Sequence, residues 1–188
     1  MNILFLDACI SAHESRTKLL SEEYLRRCKE AGHTVTHLEL AQAGLSPLDA
    51  TALKSRDALV SAGAFEDDMF ALARQFREAD RIVLAAPYWD LSFPAVVKLY
   101  IEQIMVCGLT FHYVGAESKG LCCADKLVYI TTAGGFIGDY DFGYTYISAI
   151  TQMLGIASTE RIAAEGLDIW GANIPAILEE AITKFPAL

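Results

Sequence analysis

Three short segments of the chain carry groups that could bind a ligand. In the first, Ser15, Arg16 and Thr17 place two hydroxyls and a guanidinium side by side where a helical pattern begins. A helix N-terminus offers unpaired N–H groups and partial positive charge, so this run suits a phosphate. Serine is also a favoured N-cap, and capping alone would explain Ser15. Neither a Walker loop nor G-x-G-x-x-G is present, which disfavours a nucleoside triphosphate or a dinucleotide fingerprint.

The second segment, from Pro87 to Leu91, contains the aromatic residues Tyr88 and Trp89 followed by Asp90. A planar ring could stack here above backbone N–H groups. Aromatic residues in such a place also pack against a neighbouring loop or subunit. Asp90 could be a general acid or base, but a carboxylate in a turn is commonly a turn former.

The third segment contains Thr132, Ala133, Gly134 and Gly135. Two consecutive glycines remove Cβ atoms, so the backbone could approach a ligand closely. An ordinary tight turn would use the same residues.

Other reaction classes lack their motifs. The chain has no G-x-S-x-G elbow of a hydrolase and no H-E-x-x-H of a zinc enzyme. None of the five cysteines forms a C-x-x-C pair, and the four histidines share no metal-ligand spacing with them. We therefore expect reduced thiols in a cytoplasmic protein and no metal site.

The elements that must position these segments alternate along the chain. Strand patterns are predicted at residues 2–7, 34–40, 81–86, 126–132 and 158–164, separated by helical patterns. This alternation predicts an α/β protein with a parallel sheet, buried on both faces between two helical layers. Right-handed crossovers favour the strand order 2-1-3-4-5 of the flavodoxin-like three-layer sandwich. In such a sheet a ligand lies beyond the carboxyl ends of the strands, where all three segments are expected.

The helical patterns have predicted limits. The first runs from Ser15 to a stop at Gly32, and the second covers 65–79 after an excursion with one short helix following Asp49. Ser92 and Pro94 predict the start of the third, which Gly108 would end. Two further patterns include residues 146–154 and 174–185, and residues 110–120 are predicted to form a flap or hairpin.

Length and composition limit the functional classes. The chain has 188 residues, 53% of them hydrophobic, a formal charge of −9 and a sequence pI near 4.8. We expect one domain over residues 1–188. Such an acidic chain has no electrostatic footprint for nucleic acid and would be repelled by an anionic membrane. No apolar run is long enough for a membrane span, and no signal peptide is expected. The hydrophobic share is slightly above the usual share of about 45–50%, which suggests that some apolar surface is buried in an oligomer interface.

Read together, these segments resemble the FMN-dependent azoreductase and quinone reductase family of the flavodoxin-like superfold. Ser15-Arg16-Thr17 is similar to its S-x-T phosphate loop, and residues 87–91 are similar to its P-M-Y-N-F flavin loop. Residues 98–100 resemble its K-x-Y stretch, residues 108–113 its G-L-T-F-x-Y segment, and residues 120–135 its G-L…K…T-S-R-G-G run. Residues 164–166 match its A-E-G. The resemblance covers essentially the whole chain.

The resemblance implies an FMN-dependent NAD(P)H oxidoreductase that reduces quinones or azo compounds by ping-pong two-electron transfer. NADH or NADPH would be the donor, flavin would carry the chemistry, and the pocket would lie in a homodimer. The interface would include part of the flap and the helix after Pro94. The residues implied to bind the cofactor are Cys9, Ser15, Arg16, Thr17, Pro87, Tyr88, Trp89, Asp90, Leu91, Thr132, Ala133, Gly134 and Gly135.

This chain departs from the family pattern at several of these positions. Tyr88, Trp89 and Asp90 stand where the family has methionine, tyrosine and asparagine, and an aspartate would oppose negative charge on reduced flavin. Ala133 replaces a common arginine, and Cys9 a frequent serine. Two alternatives remain open: a non-catalytic flavodoxin-like FMN-binding or electron-carrier protein, and an acyl-carrier-protein phosphodiesterase-type hydrolase.

Overall fold

The computed structural model describes residues 1–10 and 15–186. Seven strands occur in this part of the chain: β1 (Asn2–Asp7), β2 (Thr34–Glu39), β3 (Arg81–Ala85), β4 (Phe111–Val114), β5 (Glu117–Gly120), β6 (Lys126–Thr132) and β7 (Ser158–Ala164). Five of them form one parallel sheet in the order β2-β1-β3-β6-β7, and β4 and β5 form an antiparallel hairpin. This confirms the predicted sheet order, because β6 and β7 are the fourth and fifth strands of the main sheet.

The helices are α1 (Arg16–Glu30), α2 (Ala50–Ser61), α3 (Ala71–Glu78), α4 (Ala95–Ile104), α5 (Phe142–Met153) and α6 (Ile174–Thr183). Alternate residues of the central strands point to opposite faces of the sheet. In β1, Ile3 and Phe5 pack in the cluster that contains residues of α1 and α6. Leu4 and Leu6 pack in the other cluster, with residues of α3, α4 and α5. The predicted three-layer sandwich is confirmed. None of the helices in the described ranges has the length and apolar character needed to cross a bilayer.

Several local predictions were wrong. The strand prediction has every strand buried on both faces, but β2 is an edge strand with partly or largely exposed residues throughout. The second full helix, α3, begins at Ala71 rather than Phe65, after a 3-10 turn at Asp68–Phe70. The helix predicted to be short after Asp49 is α2, with 12 residues. Local caps mark two of these limits: Asp49 accepts the N–H of Ala52 at the start of α2, and Asp67 accepts the N–H of Met69 at the start of the 3-10 turn.

The helix after Pro94 does not begin as predicted. Its N-cap is Pro94, with no capping side chain, and it ends at Ile104 rather than at Gly108. Ser92 instead forms two backbone hydrogen bonds with Trp89. The N–H of Trp89 donates to the carbonyl of Ser92 at 3.1 Å, and the N–H of Ser92 donates to the carbonyl of Trp89 at 2.7 Å. The predicted Ser92 cap was therefore wrong, because the serine closes a tight turn before the helix starts.

The predicted hairpin is confirmed and is anchored to the rest of the molecule. β4 pairs with β5 in antiparallel register, with Gly115 at positive φ in the turn. Gly120, at the end of β5, lies directly against the backbone of Leu154 and Gly155, where α5 ends. The N–H of Cys122 donates to the carbonyl of Leu154 at 3.2 Å. The hairpin is thus held by a backbone-to-backbone contact that has no room for a side chain at Gly120.

Candidate functional site

A cleft of about 330 Å³ opens beyond the carboxyl ends of β1, β3 and β6, where the switch-point rule places a ligand. It is lined by Cys9, Ile10, Ser15, Arg16, Thr17, Pro87, Tyr88, Trp89, Thr132, Ala133, Gly134, Leu167 and Asp168. The three segments singled out in the sequence therefore meet in space. Asp90, Leu91 and Gly135 lie outside this lining, and Ile10, Leu167 and Asp168 are additions that the sequence did not suggest.

The start of α1 forms one wall of the cleft. Ser15 is the N-cap, and its hydroxyl accepts the N–H of Lys18 at 3.2 Å. Thr17 and Thr132 are buried and join their hydroxyls at 2.6 Å, which fixes the start of α1 to the end of β6. Capping thus accounts for Ser15, while the other first-turn N–H groups of α1 are of the kind that suits an anion.

Arg16 lies across the cleft from a carboxylate. Its Nη1 donates to Asp168 Oδ1 at 2.7 Å, which forms a salt bridge between residues that are far apart in sequence. The N–H of Asp168 donates to the carbonyl of Gly134 at 2.9 Å. A Cβ added to Gly134 would come within 2.2 Å of Asp168 Oδ2, so this carboxylate occupies the space directly over Gly134.

The two glycines after β6 use their carbonyls to hold the loop after β7. Gly134 O accepts from Asp168, and Gly135 O accepts from Gly166 at 2.9 Å. Within residues 1–10 and 15–186, no protein acceptor receives the N–H of Gly134 or of Gly135. These two donors are therefore available to a ligand at the open end of the sheet.

The segment after β3 is held at both ends. The backbone N–H of Tyr88 donates to the carbonyl of Thr132, and its hydroxyl donates to the carbonyl of Tyr140, each at 3.0 Å. Trp89 lines the cleft with 46% of its surface exposed. Asp90 and Leu91 have φ angles of 50° and 65°, as in the type I′ turn that joins two hairpin strands. Asp90 is therefore at the exposed tip of a turn, beside the cleft.

Cys9 lies on the floor of the cleft beside a buried carboxylate. Its N–H donates to Asp7 Oδ1 at 2.9 Å, and Asp7 also lies 3.7 Å from Lys18 Nζ. Burial, opposed in part by a hydrogen bond with Ser15, raises the pKa of the Cys9 thiol to about 12. Cys9 is therefore a neutral thiol at physiological pH, without the thiolate character of a nucleophile.

This protonation state predicts low reactivity. We expect iodoacetamide at pH 8 to modify the exposed Cys107 and Cys123 much faster than Cys9, because the thiolate is the reacting form. Peptide mapping by mass spectrometry after timed labelling of the purified protein measures the rates. Cys28, which is buried and whose pKa is also raised by burial, is the matched unreactive control. Labelling of Cys9 as fast as Cys107 would contradict the prediction.

The sequence model of a protein family with a flavodoxin-like fold matches residues 1–188. The chain belongs to this flavodoxin-like family. A curated relative, FMN-dependent NADH:quinone oxidoreductase 2 of Clostridium acetobutylicum, is 36% identical over 177 residues, which are 90% of this chain and 88% of the relative. The FMN-dependent NADH:quinone oxidoreductase of Clostridium perfringens is 32% identical over 187 residues, covering 97% of this chain and 94% of the relative.

A solved structure gives the same result for the fold. The azoreductase from Bacillus anthracis str. Sterne superposes with a TM-score of 0.83 at 25% identity, covering 97% of each chain. The resemblance inferred from the sequence motifs is thereby confirmed. In this flavodoxin-like protein the cleft lies where the topology predicts it, beyond the carboxyl ends of the central strands.

Besides Ile10, sequence reasoning missed two residues of the site, Leu167 and Asp168. They directly follow residues 164–166, the segment that resembles the family's A-E-G, so the end of β7 was the available signal. No spacing rule connects Asp168 to Arg16, because their contact depends on how β7 and α1 are placed in the sheet. No group of three or more His, Cys, Asp or Glu side chains suited to a metal occurs in the described ranges.

Proposed function

We infer that this protein is an FMN-dependent oxidoreductase that uses NADH or NADPH to reduce quinones or azo compounds. The relatives with high coverage are named FMN-dependent NADH:quinone oxidoreductases, and a structural neighbour is an azoreductase. The observation in this chain that carries the inference is the cleft itself. It brings a helix N-terminus, the N–H group of Gly134, which has no acceptor in the described residues, and a half-exposed tryptophan ring to one place, with the N–H of Gly135 next along the chain.

The residues present fit FMN. The cleft has a volume of about 330 Å³, which is within the range of about 300–1,000 Å³ usual for cofactor sites. We propose that the phosphate binds at the start of α1, with Arg16 and the first-turn N–H groups as donors. Trp89 would flank the flavin ring, and Pro87 and Tyr88 would shape the same wall.

The bound cofactor supplies the two-electron chemistry, which a nicotinamide donor and a quinone or azo acceptor use in turn. The chain's own part is binding, orientation and electrostatics. The free N–H groups of Gly134 and Gly135 are the donors that we propose to stabilise negative charge at the pyrimidine end of the ring. Trp89, open to solvent on part of its surface, leaves access for a planar substrate.

The two alternatives are not favoured. A hydrolase needs an activated nucleophile, whereas the cleft's one thiol, Cys9, has its pKa raised to about 12. A simple electron carrier would not need a nicotinamide donor, and the curated relatives are named as NADH:quinone oxidoreductases.

The function is tested on the purified protein reconstituted with FMN. We expect flavin absorption bands to remain after gel filtration, and NADH or NADPH to be oxidised when a soluble quinone or an azo dye is added. Initial rates at several fixed acceptor concentrations should give parallel double-reciprocal lines, as for a ping-pong mechanism. Loss of the flavin on gel filtration together with no acceptor-dependent oxidation would reject the proposal.

Asp90 gives a further prediction about the bound flavin. At an effective dielectric of about 20 and a separation of about 6 Å, a carboxylate would disfavour an added negative charge by about 3 kcal/mol. Because Asp90 is exposed at the turn tip, solvent reduces this repulsion considerably. We expect Asp90→Asn to raise the two-electron midpoint potential by about 20 mV, where 30 mV corresponds to about 1.4 kcal/mol. Spectroelectrochemical titration at pH 7 measures it, and identical potentials would make Asp90 only a turn residue.

We also propose that the protein is a homodimer. Several large apolar side chains are exposed near the cleft and on the hairpin, including Trp170 at 98%, Phe136 at 77% and Tyr113 at 58%. Aromatic side chains are enriched at interfaces between proteins, which supports an association through these exposed residues. Sedimentation velocity at micromolar concentration is expected to give the dimer mass. A monomer that retains FMN and full activity would contradict the proposal.

We further propose that residues 1–188 form one domain and that the protein acts in the cytoplasm. The two core clusters share the strands of a single sheet, which supports one folding unit. All five cysteines are free, which suits a reducing compartment. A single cooperative unfolding transition and a cytoplasmic location by fractionation are the expected results.

A further inference from the structure

The charges that line the cleft cancel. Among the described residues that line it, Arg16 is the only cationic side chain and Asp168 the only acidic one. They are paired with each other, with Arg16 Nη1 2.7 Å from Asp168 Oδ1. The described lining of the cleft therefore presents no net side-chain charge to an incoming anion.

Backbone contacts hold Asp168 in position, and the guanidinium of Arg16 with which it pairs is the group that a phosphate would need. Its N–H is bound to the carbonyl of Gly134, and its Oδ2 lies over the Gly134 Cα. Its side chain is 66% exposed, so it contacts solvent at the mouth of the cleft. Arg16 is 36% exposed. A phosphate approaching the start of α1 would meet a guanidinium that already has an anionic partner.

We propose that Asp168 competes with the cofactor's phosphate group for Arg16 and thereby lowers the affinity of the cleft for FMN. The inference rests on the proposed function and names a residue that tunes it. An exposed salt bridge contributes little to holding an arginine in place, so Asp168 adds little order to Arg16. A phosphate dianion, in contrast, gains charge-assisted hydrogen bonds from a free guanidinium and is repelled by a carboxylate beside it. Removal of the carboxylate therefore strengthens phosphate binding more than the lost order of Arg16 weakens it.

The test compares two flavins that differ only in the phosphate. Asp168→Asn keeps the shape of the side chain and an acceptor for Arg16 while removing the charge. We expect this variant to bind FMN about fivefold more tightly than the wild type, which corresponds to about 1 kcal/mol, and to bind riboflavin with unchanged affinity. Quenching of flavin fluorescence on titration with the flavin-free protein measures both dissociation constants.

A matched control separates a local effect from the loss of one negative charge. Asp139→Asn makes the same charge change at an exposed position that does not line the cleft. We expect it to leave FMN affinity unchanged. Asp168→Ala provides a second variant, which is also expected to bind FMN more tightly than the wild type. Thermal unfolding of each variant checks that the fold is retained.

The outcomes distinguish the inference from the function on which it rests. If FMN affinity is unchanged or weaker in both Asp168 variants, the inference is overturned. Asp168 would then either position Arg16 or have no influence on FMN binding. Equal tightening of FMN and riboflavin would also overturn it, since the carboxylate would then act on the ring. If the wild type and every variant bind neither flavin, the proposed function fails and the inference fails with it.

Discussion

Arg16→Ala is expected to weaken the binding of FMN by about tenfold or more. A hydrogen bond from a charged group contributes about 1.5–3 kcal/mol, and about 1.4 kcal/mol corresponds to a factor of ten in affinity. The variant also leaves Asp168 without its 2.7 Å partner, so an unpaired carboxylate faces the phosphate. Both effects have the same sign. The dissociation constant is measured by flavin fluorescence titration, and riboflavin binding should change much less than FMN binding.

Arg26→Ala is the matched control for this prediction. Arg26 lies on the same helix, is exposed, and pairs with Glu23 and Glu30 outside the cleft. Its removal changes the net charge equally, and FMN affinity should stay the same. If Arg16→Ala and Arg26→Ala have the same small effect, Arg16 does not bind the phosphate.

Gly120→Ala is expected to destabilise the fold by about 3 kcal/mol or more, at the upper end of the cost of overpacking. A Cβ at this position would lie 1.9 Å from Leu154 C and 2.0 Å from Gly155 N. Because these are backbone atoms, no rotamer change can relieve the contact. The hairpin and the end of α5 must separate, which also strains the bond from Cys122 N–H to Leu154 O. Urea denaturation of the flavin-free protein measures the free energy of unfolding.

Gly135→Ala provides the comparison. A Cβ on Gly135 would meet nothing within 4 Å, and the residue does not have a positive φ. The free energy of unfolding of the flavin-free protein should therefore change by less than about 0.5 kcal/mol, as for a surface substitution. Similar destabilisation by both substitutions would show that glycine flexibility, rather than close packing, explains Gly120.

Much of the fold follows from local sequence patterns. The strands at Asn2–Asp7, Lys126–Thr132 and Ser158–Ala164 have the predicted limits, because each is a short apolar or β-branched run between polar or glycine-containing turns. The order of the sheet follows from alternation and crossover handedness. The position of the cleft follows in turn from the sheet, since parallel strands end at one edge.

The sequence did not determine features that depend on packing between distant elements. The predicted sheet order already placed β2 at an edge, but how little of it is covered depends on the packing around it, and its residues are partly or largely exposed throughout. Ser92 reads as a helix cap but closes a turn with Trp89, where Asp90 and Leu91 take positive φ angles that no local propensity favours for leucine. Here the surrounding structure overrides the local preference.

The sequence by itself determined three of the segments that line the cleft: the start of α1, the aromatic turn after β3 and the residues from Thr132 to Gly134. Only the tertiary structure decided their electrostatics. The carboxylate of Asp168 reaches Arg16 because β7 ends beside the glycines after β6, and α1 begins on the other side of the same cleft. A contact between residues so distant in sequence leaves no periodicity or spacing signal in a single chain. Its energy depends on a distance of 2.7 Å that only the folded sheet and helices set.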